Sequence, residues 1–313
     1  MKILFTGASS FTGFWFVQEL VEAGHEVDAY FRSPYATYQG LRKERIDQLL
    51  PLCRTHFNLP FGSDPFLEQL QKEVKFDLFC HHAAEVSNYK SVFFDPVTAL
   101  GNNTRNLSAV LTALAGAKII LTGSVFEPNE GSGHGGVQAV SPYGLSKGLT
   151  SQFFKYYAAL HQMPLGKFVI PNPFGPFEEE RFTTYLVKSW FNNEVPAIHT
   201  PEYVRDNVPV SLLAKGYRHF AETMDDTSYR DFHPSFYAES QENFTKRFSH
   251  EMAVRLKRAC PFVLKPQPML IEPKIRINHD VLNPTQLNWS ESESWNQLAE
   301  FYQKRFSTQC LTR

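Results

Sequence analysis

Tyr143 and Lys147 stand four residues apart in Tyr143-Gly-Leu-Ser-Lys147. On a helix this spacing puts a phenol and an ammonium on one face. Ser141 and Pro142 come just before, a favourable N-cap and a favourable first helical residue, so a helix is expected to begin there. A free tyrosine titrates at about 10, too high for a base at neutral pH. A nearby ammonium stabilises the phenolate and lowers that value. The same pair can hand a proton to an alkoxide as a ketone is reduced. Of 13 tyrosines, Tyr143 alone has a lysine four residues later. Aromatic residues on helices are usually core, and it is the place of this pair, after the fourth strand-like segment, that weighs for chemistry.

A second constellation opens the chain. Ile3-Leu-Phe5 reads as a strand, and Thr6-Gly-Ala-Ser-Ser-Phe-Thr-Gly13 reads as a turn that starts a helix. Gly7 permits a tight turn, and Gly13 lets the helix pack close to the sheet. Backbone N–H groups at the helix start can bind a pyrophosphate, aided by the helix dipole. Such a turn is weak on its own and stronger after a first strand. Together the two constellations point to a nicotinamide-dependent redox enzyme. The next strand ends Tyr30-Phe31-Arg32-Ser33, without the acid that binds ribose hydroxyls in NAD-preferring folds. Arg32 can pair with a 2′-phosphate in a charge-assisted contact, so NADP(H) is favoured, with NAD(H) as the alternative and a solvated loop arginine as the plain reading. Thr122 or Ser124, at the end of Leu121-Thr-Gly-Ser-Val-Phe126, can hold a substrate oxygen, because ligands of open parallel sheets bind beyond the carboxyl ends of strands.

These groups need a sheet to hold them. Strands are expected at 3–5, 27–31, 76–80, 118–121 and 168–170. Helices are expected at 13–23, 65–73, 103–114 and 142–160. This alternation predicts an α/β fold, a Rossmann-type doubly wound parallel sheet with right-handed crossovers. After residue 171 prolines become frequent and helical pieces shorten (181–192, 212–223, 241–257, 291–306). The expected division is a dinucleotide-binding domain over 1–170, with 202–225 returning to it. A smaller irregular C-terminal substrate region would take 171–201 and 226–313. Gly131–Gly136 reads as a flexible loop.

With 313 residues, 42% apolar, the chain can bury a sizeable core. A net charge of -1 and no basic block give no support to nucleic acid as partner. Cys53, Cys80, Cys260 and Cys310 are isolated, without metal spacing, and read as free thiols of a reducing compartment. No leader and no bilayer-length apolar run is seen, so a cytoplasmic protein without a membrane or metal partner is expected.

Six segments then occur in one order: the turn at 6–13, Asp77-Leu-Phe-Cys-His-His-Ala-Ala84, Thr122-Gly-Ser-Val-Phe126, Tyr143-Gly-Leu-Ser-Lys147, Asn172-Pro-Phe-Gly-Pro176 and Val204-Arg-Asp-Asn-Val-Pro-Val210. As a set, over residues 1 to 225, they resemble the extended short-chain dehydrogenases/reductases, specifically the NAD-dependent epimerase/dehydratase family of sugar-nucleotide enzymes. The resemblance implies that Tyr143 and Lys147 are the catalytic pair, with Lys147 also on the nicotinamide ribose. It implies that Thr122 is the catalytic hydroxyl and Ser124 a neighbouring active-site group. The cofactor would be bound by Gly7, Ser9, Ser10, Phe11, Thr12, Gly13, Arg32, Asn58, Leu59, Ala83, Ala84 and Pro171 together with the pair. The sugar nucleotide would meet Ser124, Asn172 and Arg205, the arginine at its diphosphate. A homodimer through helices 103–114 and 142–160 is implied by the same analogy.

There are departures. Ser10 replaces the family's middle glycine, which would set the turn slightly farther from the pyrophosphate. His81 matches a frequent family histidine and is read as packing. Gly123-Ser124 replaces the Asp-Glu pair of the dehydratases, so 4,6-dehydration is not expected. The leading expectation is an NADPH-dependent reductase of a keto group on a nucleotide-diphosphate sugar of the 4-keto-6-deoxy type. A 4-epimerase is the alternative. A non-catalytic dinucleotide sensor comes third, disfavoured by the intact Tyr143 and Lys147.

Overall fold

The computed structural model describes residues 1–73, 75–131, 138–226, 229–267 and 272–307. Strand and helix alternate as the apolar pattern requires: β1 Lys2–Thr6, α1 Phe11–Glu22, β2 Glu26–Tyr30, α2 Gly40–Leu49, β3 Arg54–His56, α3 Asp64–Lys72, β4 Leu78–His81, α4 Pro96–Thr104, α5 Leu107–Ala113, β5 Lys118–Ser124, α6 Pro142–Leu160 and β6 Leu165–Ile170. Later strands are mostly shorter, but the helices do not shorten as expected: β7 Asn172–Phe174, α7 Phe182–Phe191, β8 Ala197–Ile198, β9 Val204–Pro209, α8 Val210–Glu222, β10 Tyr229–Phe232, β11 Pro234–Ser235, β12 Tyr237–Ser240, α9 Gln241–Leu256, β13 Val263–Leu264, β14 Ile275–Arg276, β15 Asp280–Val281 and α10 Glu291–Ser307.

Seven strands form one sheet in the order β10-β6-β5-β4-β1-β2-β3, every pair parallel. This is the expected Rossmann-type sheet. The order steps outward from β1 in both directions, so the two halves part beside the first strand and open a crevice at the strand tips. Register brings those tips level: Thr6 lies beside Tyr30 and His81, and His81 beside Leu121. Apolar residues cover both faces. Phe5, Phe16, Val17, Phe168, Leu213, Tyr217 and Phe220 pack on one side, and Leu4, Phe79, Leu111, Ile119, Leu121 and Phe154 on the other. Strands buried on two faces read as continuous apolar runs, which is why they were visible in sequence.

Three further expectations need correction. The helix expected over 103–114 is two helices, α4 and α5, broken where Asn106 takes a φ of 49°. Its side-chain amide donates to the Gly62 carbonyl at 2.8 Å, and a Cβ on Gly62 would lie 1.8 Å from the Arg105 carbonyl oxygen. The neighbouring loop therefore sets the break, and helical periodicity carries no trace of it. β10 lies within the stretch 226–313 assigned to the substrate region, yet it is the edge strand of the parallel sheet. In the stretch 202–225, α8 packs on α1, whereas β9 pairs with β7, β12 and β14 in a separate small sheet. That sheet adjoins a third core of Phe174, Trp190, Phe244, Phe248, Trp295 and Tyr302. Of the loop read at Gly131–Gly136, Gly131 alone is described; Cys310 also lies outside the described residues.

Candidate active site

The β1–α1 turn is built on two close approaches. Gly7 has a φ of 86°, and a Cβ there would lie 2.7 Å from the Ala83 backbone nitrogen. A Cβ on Gly13 would lie 2.3 Å from the Gly7 carbonyl oxygen. Ser10 needs no left-handed backbone, with φ at -76°. Its hydroxyl turns inward as the α1 N-cap, donating to Gly7 O at 2.8 Å and accepting from Gly13 N at 3.1 Å. Below the turn, the fully buried Arg45 donates to the Ser9 carbonyl at 2.8 Å and to the Phe177 carbonyl at 2.7 Å. Burial pulls this guanidinium below its ordinary range, while Glu179 opposes. Arg45 thus ties the turn to the loop after β7.

The parallel sheet brings the other expected cofactor residues to the same edge. Ala83 and Ala84 follow β4, Arg32 follows β2, Asn58 and Leu59 follow β3, and Pro171 follows β6. The ladder runs past the strand ends: Phe31 N bonds His56 O, Leu59 N bonds Phe31 O, and Asn58 N bonds Ser33 O. Arg32 is 61% exposed and its guanidinium meets Glu85 at 3.0 Å. The arginine assigned to a 2′-phosphate therefore already has a carboxylate partner.

Two adjacent histidines at the β4 tip face opposite ways. His81 is buried against the Phe61 and Phe154 rings, with Nδ1 3.0 Å from Thr6 Oγ1. His82, which the sequence reading passed over, spans the crevice. Its Nδ1 is 2.9 Å from Thr122 Oγ1, and its Nε2 is 3.0 Å from Ser10 Oγ and 3.1 Å from Thr12 Oγ1. Burial, then the charge of Lys147, pushes both rings down to about 3, so they are neutral at physiological pH. Because the Ser10 hydroxyl donates to Gly7, its oxygen must accept from His82. The Nε2–H tautomer follows, with Nδ1 accepting from Thr122.

α6 begins with Ser141 as N-cap, its hydroxyl accepting from Gly144 N at 3.1 Å. Lys147 is buried, and its ammonium donates to the Thr122 carbonyl at 2.6 Å. Burial brings it down to about 8, held up by Glu127 and lowered further by Lys167. Tyr143 is half-buried beneath Tyr89, Phe94 and Phe126, with ring centroids 5.4, 5.9 and 6.2 Å away. The expected lowering of the phenol is not found. Burial raises it above its ordinary value, Glu127 and Tyr89 add to this, and Arg181 and the Ser124 hydroxyl oppose. The ammonium engages a strand carbonyl, so the phenol keeps its proton at neutral pH and is set to donate it.

The two hydroxyls of β5 separate in role. Thr122 is taken up by His82, whereas the Ser124 hydroxyl accepts from Phe126 N at 3.3 Å and acts on Tyr143, opposing the rise of its phenol. Gly123 has a packing cause: a Cβ there would meet Lys167 Cε at 2.6 Å and Glu127 Oε1 at 3.2 Å.

On the substrate side, Asn172 on β7 donates to Asn207 on β9 at 2.6 Å. The buried Arg205 lies over the Tyr203 ring and meets Glu272 at 3.1 Å. Arg276, missed in sequence, shares Glu272 at 3.2 Å and lies 3.9 Å from the centre of the Phe126 ring, itself against Tyr143. It is 7% exposed, and its Nε and Nη1 have no hydrogen-bond partner. Burial brings this guanidinium down to about 10. Two buried guanidiniums beside one carboxylate leave net positive charge, suited to a diphosphate.

A glycine turn at one strand tip and a Ser-Tyr-Lys constellation two strands away define a Rossmann-fold enzyme of the extended short-chain dehydrogenase/reductase type. The sequence pattern of the NAD dependent epimerase/dehydratase family matches residues 3–233, and the chain belongs to that family. By sequence alone, no curated protein matches it. Among solved structures it resembles a UDP-glucuronic acid 4-epimerase variant from Bacillus cereus in complex with a fluorinated UDP-sugar and NAD (TM-score 0.74, 18% identity, 97% of this chain and 100% of that one). It also resembles UDP-glucose 4-epimerase from Thermotoga maritima with UDP-glucose (0.71, 18%, 97% and 99%). A third is the dTDP-glucose 4,6-dehydratase of Streptomyces venezuelae with NAD bound (0.71, 14%, 98% and 98%). These likenesses bear on fold. Among the described residues no helix is long and apolar enough to cross a membrane.

Proposed function

We propose that this enzyme reduces a keto group on a nucleotide-diphosphate sugar of the 4-keto-6-deoxy type, using a nicotinamide dinucleotide. The observation that carries this reading is the placement of Tyr143: at the start of α6, enclosed by the Tyr89, Phe94 and Phe126 rings, with its phenol raised by burial and Lys147 one turn on bonded to the β5 tip. Gly7, Ser9, Ser10, Phe11, Thr12, Gly13, Ala83 and Ala84 would hold the dinucleotide, which supplies hydride. Asn58, Leu59 and Pro171 would line its groove. Ser124 orients the substrate oxygen, Tyr143 gives it a proton, and Lys147 fixes α6 against β5 and meets the nicotinamide ribose. Arg205 and Arg276 receive the diphosphate, with Asn172 beside them. Gly123 leaves no acid for removing water, so the keto sugar must come from another enzyme. NADP(H) is favoured through Arg32, since a surface ion pair of this kind is worth only about 0–1 kcal/mol and a 2′-phosphate can displace Glu85.

The Arg32–Glu85 pair also supports a second reading, a 4-epimerase with NAD, because a carboxylate beside the ribose disfavours the extra phosphate. Incubation with reduced cofactor and a 4-keto sugar nucleotide separates the two. Stoichiometric cofactor oxidation, stronger with NADPH, supports the reductase. No net oxidation, with interconversion of C4 epimers by enzyme that retains NAD, replaces it. In either case we propose that a second copy covers the outer face of α6, where Leu145, Leu149, Phe153, Tyr156 and Leu160 are exposed in one stripe.

A further inference from the structure

Behind the Ser-Tyr-Lys constellation runs a chain of buried charges that the reaction scheme leaves unused. Glu127, 1% exposed, lies in the turn after β5. Its Oε1 accepts from the Ser124 backbone N–H at 2.8 Å, and its Oε2 accepts from the Ser151 hydroxyl at 3.0 Å. Ser151 lies one helical turn beyond Lys147 on the same face of α6. The same Oε2 meets Lys167 of β6 at 2.7 Å. One carboxylate therefore touches the strand bearing Ser124, the helix bearing Tyr143 and Lys147, and the next strand. Lys167 is buried and continues to Glu130 at 2.6 Å, and Glu130 meets His233 at 2.9 Å.

We propose that Glu127 and Lys167 are a positioning pair: Glu127 clamps β5 to α6 behind Ser124, Tyr143 and Lys147, while Lys167 of β6 balances the buried carboxylate. The inference rests on the proposed roles of Ser124, Tyr143 and Lys147. Each element packed on this centre presents its charges to it. His81 and His82 face Lys147 from β4, and both are neutral. Tyr229 of β10 and Tyr143 of α6 lie within the field of Glu127, and both are raised above their ordinary value. Among the described residues, Glu127 is the anion that raises Lys147 and Lys167 the cation that lowers it. Their removal must move the ammonium in opposite directions. A scaffold role alone would not produce opposite signs.

The test follows the Lys147 ammonium directly, by NMR titration of full-length protein carrying isotope-labelled lysine, with the signal assigned through Lys147→Arg. Substrate is not needed. Glu127→Gln keeps the side-chain shape and should lower the midpoint by about one pH unit or more, as loss of a nearby opposite charge does. Lys167→Met should raise it, and this variant serves alone if Glu127→Gln does not fold. Glu127→Asp keeps the charge and should stay near the wild-type midpoint. Unchanged midpoints in the folded Gln and Met variants would overturn the proposal, as would Glu127→Asp moving as far as Glu127→Gln. The alkaline limb of turnover should shift in the same order. Opposite midpoint shifts in an enzyme that turns over no sugar nucleotide would defeat the functional reading and leave this one standing.

Discussion

The proposed cofactor edge and the proposed substrate edge of the crevice are built by different means. At the proposed cofactor edge the groups lining the glycine turn are neutral, coming from the backbone, Ser10, Thr12, Thr122 and the His82 imidazole, with the charged Arg45 beneath it and the Arg32–Glu85 pair at the rim. The donors of the turn find acceptors: Ser10 with Gly7, Gly13 with Ser10, His82 with Ser10, and Thr122 with His82. At the substrate edge the groups are charged, buried and only partly matched: Arg205 and Arg276 share Glu272, and Glu178 lies 5% exposed with Arg181 3.9 Å away. The first edge resembles a preformed socket for a ligand common to many enzymes. The second leaves charge to be matched by a particular ligand, and it carries the cost of burying it.

The contrast is sharpest where the edges meet. Tyr143→Phe should lower turnover by about a thousandfold while fluorescence titration shows cofactor affinity nearly unchanged; a parallel loss of binding would place Tyr143 at the cofactor edge instead. Gly13→Ala should strike that edge alone. Its new Cβ meets the Gly7 carbonyl at 2.3 Å, so denaturant melts should show a loss of about 2–4 kcal/mol, with weaker cofactor binding.

Glu178 tests the mismatch on the other side. Burial pushes its carboxyl up to about 7, against the opposing pull of Arg181 and the Thr183 hydroxyl. The folded state therefore binds this proton more tightly than the unfolded chain. Its favourable contribution is present at low pH and is lost as pH rises from about 4.5 through about 7. Glu178→Gln should stabilise the protein at pH 8 by up to about 3 kcal/mol and by little at pH 4.5, as thermal melts at the two values would show. The smallest effect is expected for Arg276→Met. The KM for the sugar nucleotide should rise about tenfold, as for one charge-assisted contact, with kcat and cofactor affinity retained. A fall in kcat with unchanged KM would remove Arg276 from the diphosphate site.

Legibility in sequence follows the same divide. The turn, the strand tips, Tyr143 and Lys147 lie in local patterns, so the parallel sheet and the place of these residues at its strand tips were legible in the sequence. The charged residues of the interior could not. The fifth strand was expected to start at Phe168, where the apolar run begins, and a lysine just before it gives no apolar signal because lysine is almost never buried unpaired. In the structure β6 starts at Leu165 and Lys167 points inward, since Glu127 and Glu130 reach it from a different strand connection. Arg276 lies in a proline-rich stretch without periodicity, and only the fold brings it to Phe126. His82 was hidden by its neighbour, for period-two alternation assigns two adjacent histidines to opposite faces and does not say which face is the crevice.

Gly123 also constrains the routes open to this chain in evolution. The acid that resemblance associates with dehydration would have to enter at this position, and its first carbon would meet Lys167 Cε at 2.6 Å. Lys167 cannot swing aside without abandoning both Glu127 and Glu130. The glycine must therefore stay until the lysine has been replaced, and the lysine is dispensable only once its two carboxylates are neutralised. A change of activity that is two adjacent substitutions on paper becomes an ordered series whose early steps offer no new chemistry. Such sign epistasis, set by one ammonium on the neighbouring strand, would hold this lineage to the reaction it now performs.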